Sequence, residues 1–561
     1  MTRKTFQSTG AVAQRAEVIA STLAMGRSHH TQGHLKLAED YYRRVLALDP
    51  NNAVGLHLLG VVALQSDARD EAIKLLKRAH KRAPTEAAIL VNLGAAYRKA
   101  DRFADARAAY EQAVGLNPTL AEAHFNLGKV LFELDDVDAS LAANKQALAL
   151  APNMADAWVG LGNALKFKGD GDGAIGAYNE AIKITPTMGE AYGNIGAVLF
   201  DRTAYAEAME WVGKGIAFHP QPGELRFKRS LMALRLCDFT IGWPDYESRF
   251  FAQRERIARF LPPPPYWNGE DLSDKRLLIW TEQGLGDEVL YSSMLGEAIS
   301  KARDTIIECS PRMVPVFARS FPQAKVVRYV QQGERSTPAD QFDRQISVVS
   351  LGQFLRPDLA SFPRHRGYMK ADAEKVARLR ARYQARVPGN LIVGVSWRSK
   401  NDMVGALKSA DLDTWGDILK TPGVTFVNLQ YGDCRTDLNK VKDVLGVEIV
   451  QDSDVDPMKS MDDCFAQVAA MDLVISTSNT TVHVAGSQNV PAWVMLNSGA
   501  ANLWYWFLTR RDSPWYPSVT LYRNPRAPQQ SDAQKGEAWW RQLTADIAGD
   551  LATLTAKRMG G

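Results

Sequence analysis

RLLIWTEQGLGDEVLYSSML (residues 276–295) decides how the second half of this chain folds. An apolar run ends at Trp280, Gly284 and Gly286 follow in quick succession, and an Asp–Glu pair opens an amphipathic segment. That order reads as strand, glycine-rich turn and helix. Such turns often cradle phosphate, because free amides at a helix N-terminus attract anions. Here Asp287 stands where phosphate oxygens would sit. Gly284 and Gly286 match two glycines of a dinucleotide motif, and Glu308 lies at the end of the next strand, but Val289 takes the third glycine position. A carboxylate against a pyrophosphate costs more than a nest of amides returns, so a dinucleotide is set aside. Two readings of Asp287 remain. It caps the helix, or it is a base, kept ionised by the helix N-terminus and able to take a proton from a hydroxyl.

Around this stretch, short apolar runs alternate with helical segments. RLLIW, TIIEC, VVRYV and QISVVS lie between residues 276 and 350, and LIVGVSW, VTFVNLQ, VEIVQ, DLVIST and AWVMLN between 391 and 497. Apolar strands spaced by helices predict parallel sheets covered on both faces. Two consecutive sets predict two doubly wound domains facing one another, at residues 266–388 and 389–530. Residues 531–561 read as a final helix packing back across the first of them.

Ligands of such sheets bind outside the carboxyl ends of the strands. The residues there are Glu282 to Asp287, Arg398 and Ser399, Gln430 to Gly432, and Thr477 to Asn479. Arg398 and Lys408 are two cations suited to a diphosphate, or else solvated loop residues. Ser478, Asn479, Thr480 and Thr481 lead into a helix whose free amides and hydroxyls suit an anion or a sugar. His483 follows on that helix, as a ligand contact or as a hydrogen-bonded core residue. LWYWF (residues 503–507) reads as interdomain core or, at Trp504 or Trp506, as a platform for a sugar. DSDVD (residues 452–456) resembles a calcium loop, but Pro457 and Asp463 stand where Gly and a bidentate Glu are needed, so no metal site is expected.

The first two-fifths of the chain is a repeat. Pro50, Pro84, Pro118, Pro152, Pro186 and Pro220 recur every 34 residues, as do Gly60, Gly94, Gly128, Gly162 and Gly196. Ala38, Ala72, Ala106, Ala174 and Ala208 hold a third register, with Ser140 in the fourth unit. This resembles the tetratricopeptide repeat. Small residues allow two helices to cross closely, and proline stops the second helix because it cannot donate the next backbone bond. Stacked units form a superhelix with a concave wall. Residues 1–222 are expected to form it, followed over 223–265 by a degenerate seventh unit and the stiff spacer Pro262 to Pro265. Asn92, Asn126 and Asn194 share one position on the wall, where amides either hold the main chain of an extended peptide or are merely tolerated. The unit with Gly160 lacks the amide.

Bulk properties narrow the class. A net charge of +4 over 561 residues gives no reason to expect nucleic acid. The four cysteines show no CxxC spacing and fit a reducing compartment. The N-terminus is interrupted by Gln14, Arg15 and Glu17, so it reads as an amphipathic helix and not a signal peptide. No window approaches the roughly 18 apolar residues of a membrane span. A cytoplasmic protein without membrane contact is expected.

With WTEQGLGDEVLYSSML, GVSWRS, VNLQYGD, DLVISTSNTTVHVAG and RRDSPWYPS in view, the chain resembles bacterial tetratricopeptide proteins that end in a GT-B glycosyltransferase related to the heptosyltransferases of glycosyltransferase family 9. The resemblance implies an all-α superhelix followed by an α/β GT-B fold of two Rossmann-like domains. The first domain would take the acceptor and the second a nucleotide sugar, with no cofactor and no metal. It maps the base of an inverting transfer to Asp287, the diphosphate contacts to Arg398 and Lys408, and the histidine of a helix start to His483. Relatives often carry Asp where this chain has Ser478, which leaves the donor sugar open. Some members modify flagellin, so the acceptor implied is a Ser or Thr of a protein recruited by the repeats. An inactive scaffold, or a transferase acting on lipopolysaccharide or another glycan, stands as the alternative.

Overall fold

Helical hairpins form where glycine lets two helices cross. In the computed structural model, which describes residues 3–252, 265–329, 337–399, 409–496, 503–523 and 536–559, helix Ala87–Lys99 pairs with Phe103–Leu116 and helix Ala155–Phe167 with Gly171–Ile184. A Cβ at Gly94 would lie 2.6 Å from the Tyr110 ring, and one at Gly162 would lie 2.4 Å from Tyr178. The glycine register is therefore a packing requirement. The partners of Gly60, Gly94, Gly128 and Gly162, which are Leu76, Tyr110, Asn144 and Tyr178, are buried at the same 34-residue interval.

A further register lies in the backbone of the turns. Gly33, Asp67, Asp101, Asp135, Gly169, Thr203 and Cys237 all adopt left-handed conformations, with φ between 57° and 83°. Each joins the two helices of a hairpin. Asp tolerates that region through its short polar side chain, whereas β-branched Thr203 is strained there. Thr203→Asn should therefore stabilise the protein by about 0.5–1 kcal/mol. Thermal melting followed by tryptophan fluorescence checks this, and a lower melting temperature would refute it.

The chain divides into two compact units, Met1–Val198 and Leu199–Gly561. The first is all helical. The second begins within helix Gly189–Asp201, so helices Gly223–Arg235 and Phe239–Tyr246 belong with the sheets. Phe239, Trp243 and Tyr246 share one core with the first sheet, and Trp243 Nε1 donates to the Arg356 carbonyl at 2.7 Å. Pro262 to Pro264 lie outside the described residues.

Two fully parallel sheets make up the rest of this unit. Strands β1 (Leu272–Trp280), β2 (Ala302–Cys309), β3 (Lys325–Arg328) and β4 (Arg344–Ser347) lie in the order β3-β2-β1-β4. Strands β5 (Leu391–Ser396), β6 (Val424–Asn428), β7 (Leu473–Thr477), β8 (Ala492–Leu496) and β9 (Val519–Arg523) lie in the order β6-β5-β7-β8-β9. Every expected run forms a strand except VEIVQ, which makes only a bridge from Val450 to Val427. Strand β9 was not expected.

Strand order reverses direction between β1 and β4 and again between β5 and β7. At such switch points the loops diverge and leave a crevice. One face of the second sheet, with Val494, Leu496, Val519 and Leu521, shares a core with the first sheet. The opposite face, with Val395, Ile475, Met495 and Tyr522, is covered by Trp540, Leu543, Ile547 and Leu551 of helix Gly536–Met559. That helix packs on the second sheet and not across the first, because its apolar stripe meets Trp415 and Ile418. Among the described residues, no helix is long and apolar enough to cross a membrane.

Candidate functional site

The turn after β1 occupies the first switch point. Glu282 faces inward, and its side chain is fully buried against the equally buried Arg249. Arg249 Nη2 lies 2.6 Å from Glu282 Oε1, and Arg249 also reaches Glu247 at 2.6 Å and Ser350 at 2.7 Å. Ser347, at the end of β4, donates to the same Glu282 oxygen. Burial alone would lower the pKa of Arg249, but the Glu282 and Glu247 carboxylates outweigh it and raise it. The start of the turn is thus pinned by a desolvated ion pair.

Helix Leu285–Tyr291 follows, with Asp287 in its first turn. Asp287 Oδ2 accepts the Gly284 N–H at 3.1 Å, so the carboxylate does cap the helix. It stays half-buried, whereas Gly284 is exposed. Around it stand the phenols of Tyr246, Tyr291, Tyr505 and Tyr516. Burial first, with the Asp287 charge among the other causes, raises all four above the ordinary range. They remain neutral hydroxyls. Among the described residues, the buried Tyr291 hydroxyl has no hydrogen-bond partner, a cost that a bound hydroxyl would remove.

The neighbouring Glu288 points into the core, where it accepts from the Ser310 hydroxyl at 3.0 Å. Burial pushes its pKa up to about 7 from 4.5. The folded state therefore holds this proton over a pH range where the unfolded chain has lost it. The resulting stabilisation is complete below about pH 4.5 and is lost as pH rises through about 7. The whole change amounts to about 3 kcal/mol. In Glu288→Gln this part of the pH dependence should vanish, as read by melting temperature between pH 5 and 8.

The second switch point lies opposite. A Cβ at Gly286 would be 3.1 Å from His483 Cδ2 and 3.6 Å from Thr480 Oγ1. Gly286 thus lets the first turn approach helix Thr480–Ser487, which follows β7. His483 is buried, with Nδ1 2.9 Å from the Tyr516 hydroxyl and Nε2 3.4 Å from that of Tyr505. Its ring stacks on Trp506 at 5.4 Å between centroids. Trp506 Nε1 donates to Ser478 Oγ at 2.9 Å, so Ser478 anchors the indole. Trp504 and Trp506 are both buried.

The polar residues at the ends of β5, β6 and β7 hold one another. Asn479 caps the helix through Thr481 N–H at 3.0 Å and donates to Ser396 Oγ at 2.8 Å and to the Arg398 carbonyl at 3.2 Å. Gln430 Oε1 accepts the Trp397 and Arg398 amides at 2.9 and 2.8 Å. Both amides shape the loop. Thr481 is buried, while Thr480 remains partly open. The Arg398 guanidinium turns to the Asp433 carbonyl and to Asp437 Oδ2, each at 2.9 Å. Lys408 lies outside the described residues. The structure therefore brings Gly286, Asp287, Thr480 and His483 together, with Ser478 behind Trp506, and directs the Arg398 side chain elsewhere.

The wall asparagines of the first unit are partly engaged. Asn92 Nδ2 lies 2.8 Å from His57 Nε2, and Asn194 Nδ2 donates to Asn163 Oδ1 at 2.9 Å. Asn126 is half-buried. Sequence reading missed Arg249, the tyrosine ring around Asp287, and Arg523. Among the described residues, no group of three or more His, Cys, Asp or Glu is placed to hold a metal ion.

The chain thus carries helical hairpins at a 34-residue interval, followed in sequence by a region of two parallel α/β sheets. Models of the TPR repeat match residues 96–135, and those of the tetratricopeptide repeat match 23–87 and 135–189. The chain is similar to Protein FlbA of Caulobacter vibrioides, with 36% identity over 311 residues, which is 53% of this chain and 51% of that protein. It therefore spans about half the length of this curated relative. Among solved structures, the MamA protein is 27% identical with a TM-score of 0.28, covering 31% of this chain and 94% of that one. A tetratricopeptide repeat protein from Parabacteroides merdae is 18% identical with a TM-score of 0.37, covering 41% and 91%.

Proposed function

We propose that the chain is an inverting, metal-independent glycosyltransferase of GT-B type that moves a sugar from a nucleotide-sugar donor to a Ser or Thr hydroxyl of a protein recruited by the repeats. Flagellin is the acceptor that the sequence resemblance implies. The observation that carries the reading is the meeting of two strand-to-helix turns at two switch points. One presents the Asp287 carboxylate, and the other presents His483 and Thr480 at a helix start.

In this reading Asp287 takes the proton of the acceptor hydroxyl as the anomeric bond breaks. The hydroxyls of Tyr246, Tyr291 and Tyr505 offer donors to a polyhydroxylated ligand, and their raised pKa values keep those donors protonated. His483, held between two tyrosines and an indole, is fixed in place. The helix start at Thr480 faces negative charge on the leaving nucleotide. Ser478 is spent on Trp506, so contact with the donor sugar falls to other side chains.

Intact-mass analysis tests the proposal. Flagellin incubated with the full chain and a nucleotide-sugar panel should gain one or more sugar masses, located on Ser or Thr. Absence of any increment across the panel would overturn the flagellin assignment. Absence of sugar-nucleotide turnover on protein and glycan acceptors alike would overturn the transferase reading.

A further inference from the structure

Arg523 closes β9, at the same sheet end as the residues that follow β5 and β7. It lies two strands from β7, since Thr477 is level with Met495 and Met495 with Tyr522. That is roughly 10 Å across the sheet. Alternation along β9 places it on the face of Leu521, which belongs to the core shared with the first sheet, and opposite Tyr522. Its guanidinium donates to the Trp506 and Arg510 carbonyls, the latter at 3.1 Å. Trp506 is the residue stacked on His483 and bonded to Ser478.

Two carbonyls satisfy only part of the five-donor fork of an arginine. Among the described residues, no carboxylate forms an ion pair with Arg523, whereas Arg398 is matched by Asp437, Arg510 by Asp512 and Arg511 by Asp550. Burial with no acid to offset it pushes the Arg523 pKa down to about 10. A half-buried cation held in position without a counter-charge is built to receive an anion.

We propose that Arg523 binds a phosphate oxygen of the nucleotide donor, as the cation of the second lobe that faces the site where Arg398 does not. The proposal rests on the nucleotide-sugar reading above. It makes Arg523 a binding residue that also fixes Trp506, whose indole stacks on His483.

Isothermal titration of the full chain with UDP, GDP, CDP, ADP, CMP and inorganic pyrophosphate tests it, repeated on Arg523→Gln and Arg523→Lys. The probe that binds the wild type should bind Arg523→Gln about 10-fold or more weakly. Arg523→Lys should recover part of the loss, and the affinity of the wild type should fall more steeply with salt than that of Arg523→Gln. Unliganded melting temperatures report folding separately. Unchanged affinity in Arg523→Gln, with or without a lower melting temperature, assigns the side chain to its two carbonyls alone and overturns this inference while leaving the transferase reading intact. A wild type that binds none of the probes overturns both. Should Arg523→Gln not fold, the neutral variant Arg523→Met is titrated in its place, and wild-type affinity and salt dependence there overturn the inference.

Discussion

Asp287→Asn should lower sugar transfer by about 10²–10⁴-fold, the range for loss of a general base. Asn is a fair test because it can still accept the Gly284 N–H that Asp287 holds at 3.1 Å, so the helix start survives. Only the capacity to take a proton is removed. Donor affinity should change little, because the donor's phosphates are assigned to the other lobe. The loss should fall on kcat, with KM for the acceptor nearly constant. The four surrounding phenols should titrate at lower pH in the variant, since the Asp287 charge contributes to their raised values. Unchanged turnover would leave Asp287 as a helix cap and move the base elsewhere.

The second large effect concerns stability. Arg249 and Glu282 are fully buried, and each is the other's principal counter-charge. Removing one partner of such a pair strands a desolvated charge, at a cost of roughly 3–5 kcal/mol. Arg249→Met should therefore destabilise the second unit by about that amount. The double variant Arg249→Met with Glu282→Leu should cost clearly less than the sum of the single variants, because neither charge is left alone. Tryptophan fluorescence is a selective probe, since of 13 tryptophans only Trp158 lies in the first unit. Equal additive losses would show that the two residues act independently. Because Glu282 opens the turn that carries Asp287, Arg249→Met should also lower activity in the fraction that remains folded.

The helical array was legible because its determinants are local and repeated. Gly94 and Tyr110 are sixteen positions apart, and the same pair of needs recurs in the next units. Most strands were legible as apolar runs, because buried parallel strands need apolar residues on both faces, as in the fully buried β5. Strand β9 was not, since VTLYR ends in a charged residue and follows a segment rich in Pro and Ser. The opposite failure was VEIVQ, whose pattern suits a strand but which forms an isolated bridge at Val450. At the site, the Gly286–Asp287 turn and the Thr480–His483 helix start could be read from chain order. What each polar side chain does could not. Gln430 and Asn479 satisfy backbone groups, and Arg398 answers Asp437, choices set by neighbours 32 to 83 residues away. The tyrosines were invisible for the same reason, because Tyr246, Tyr291, Tyr505 and Tyr516 meet only after folding.

The left-handed turn at Cys237 marks the hairpin ending at Tyr246 as a seventh repeat by geometry, although its sequence has drifted. That hairpin has exchanged its outward apolar face for a seat on the sheet, where Trp243 fills the space beside Gly352. Anyone dividing this molecule into its helical array and its sheet-bearing unit has to cut upstream of it, for severing the chain at the prolines would tear a tryptophan plug out of the α/β unit.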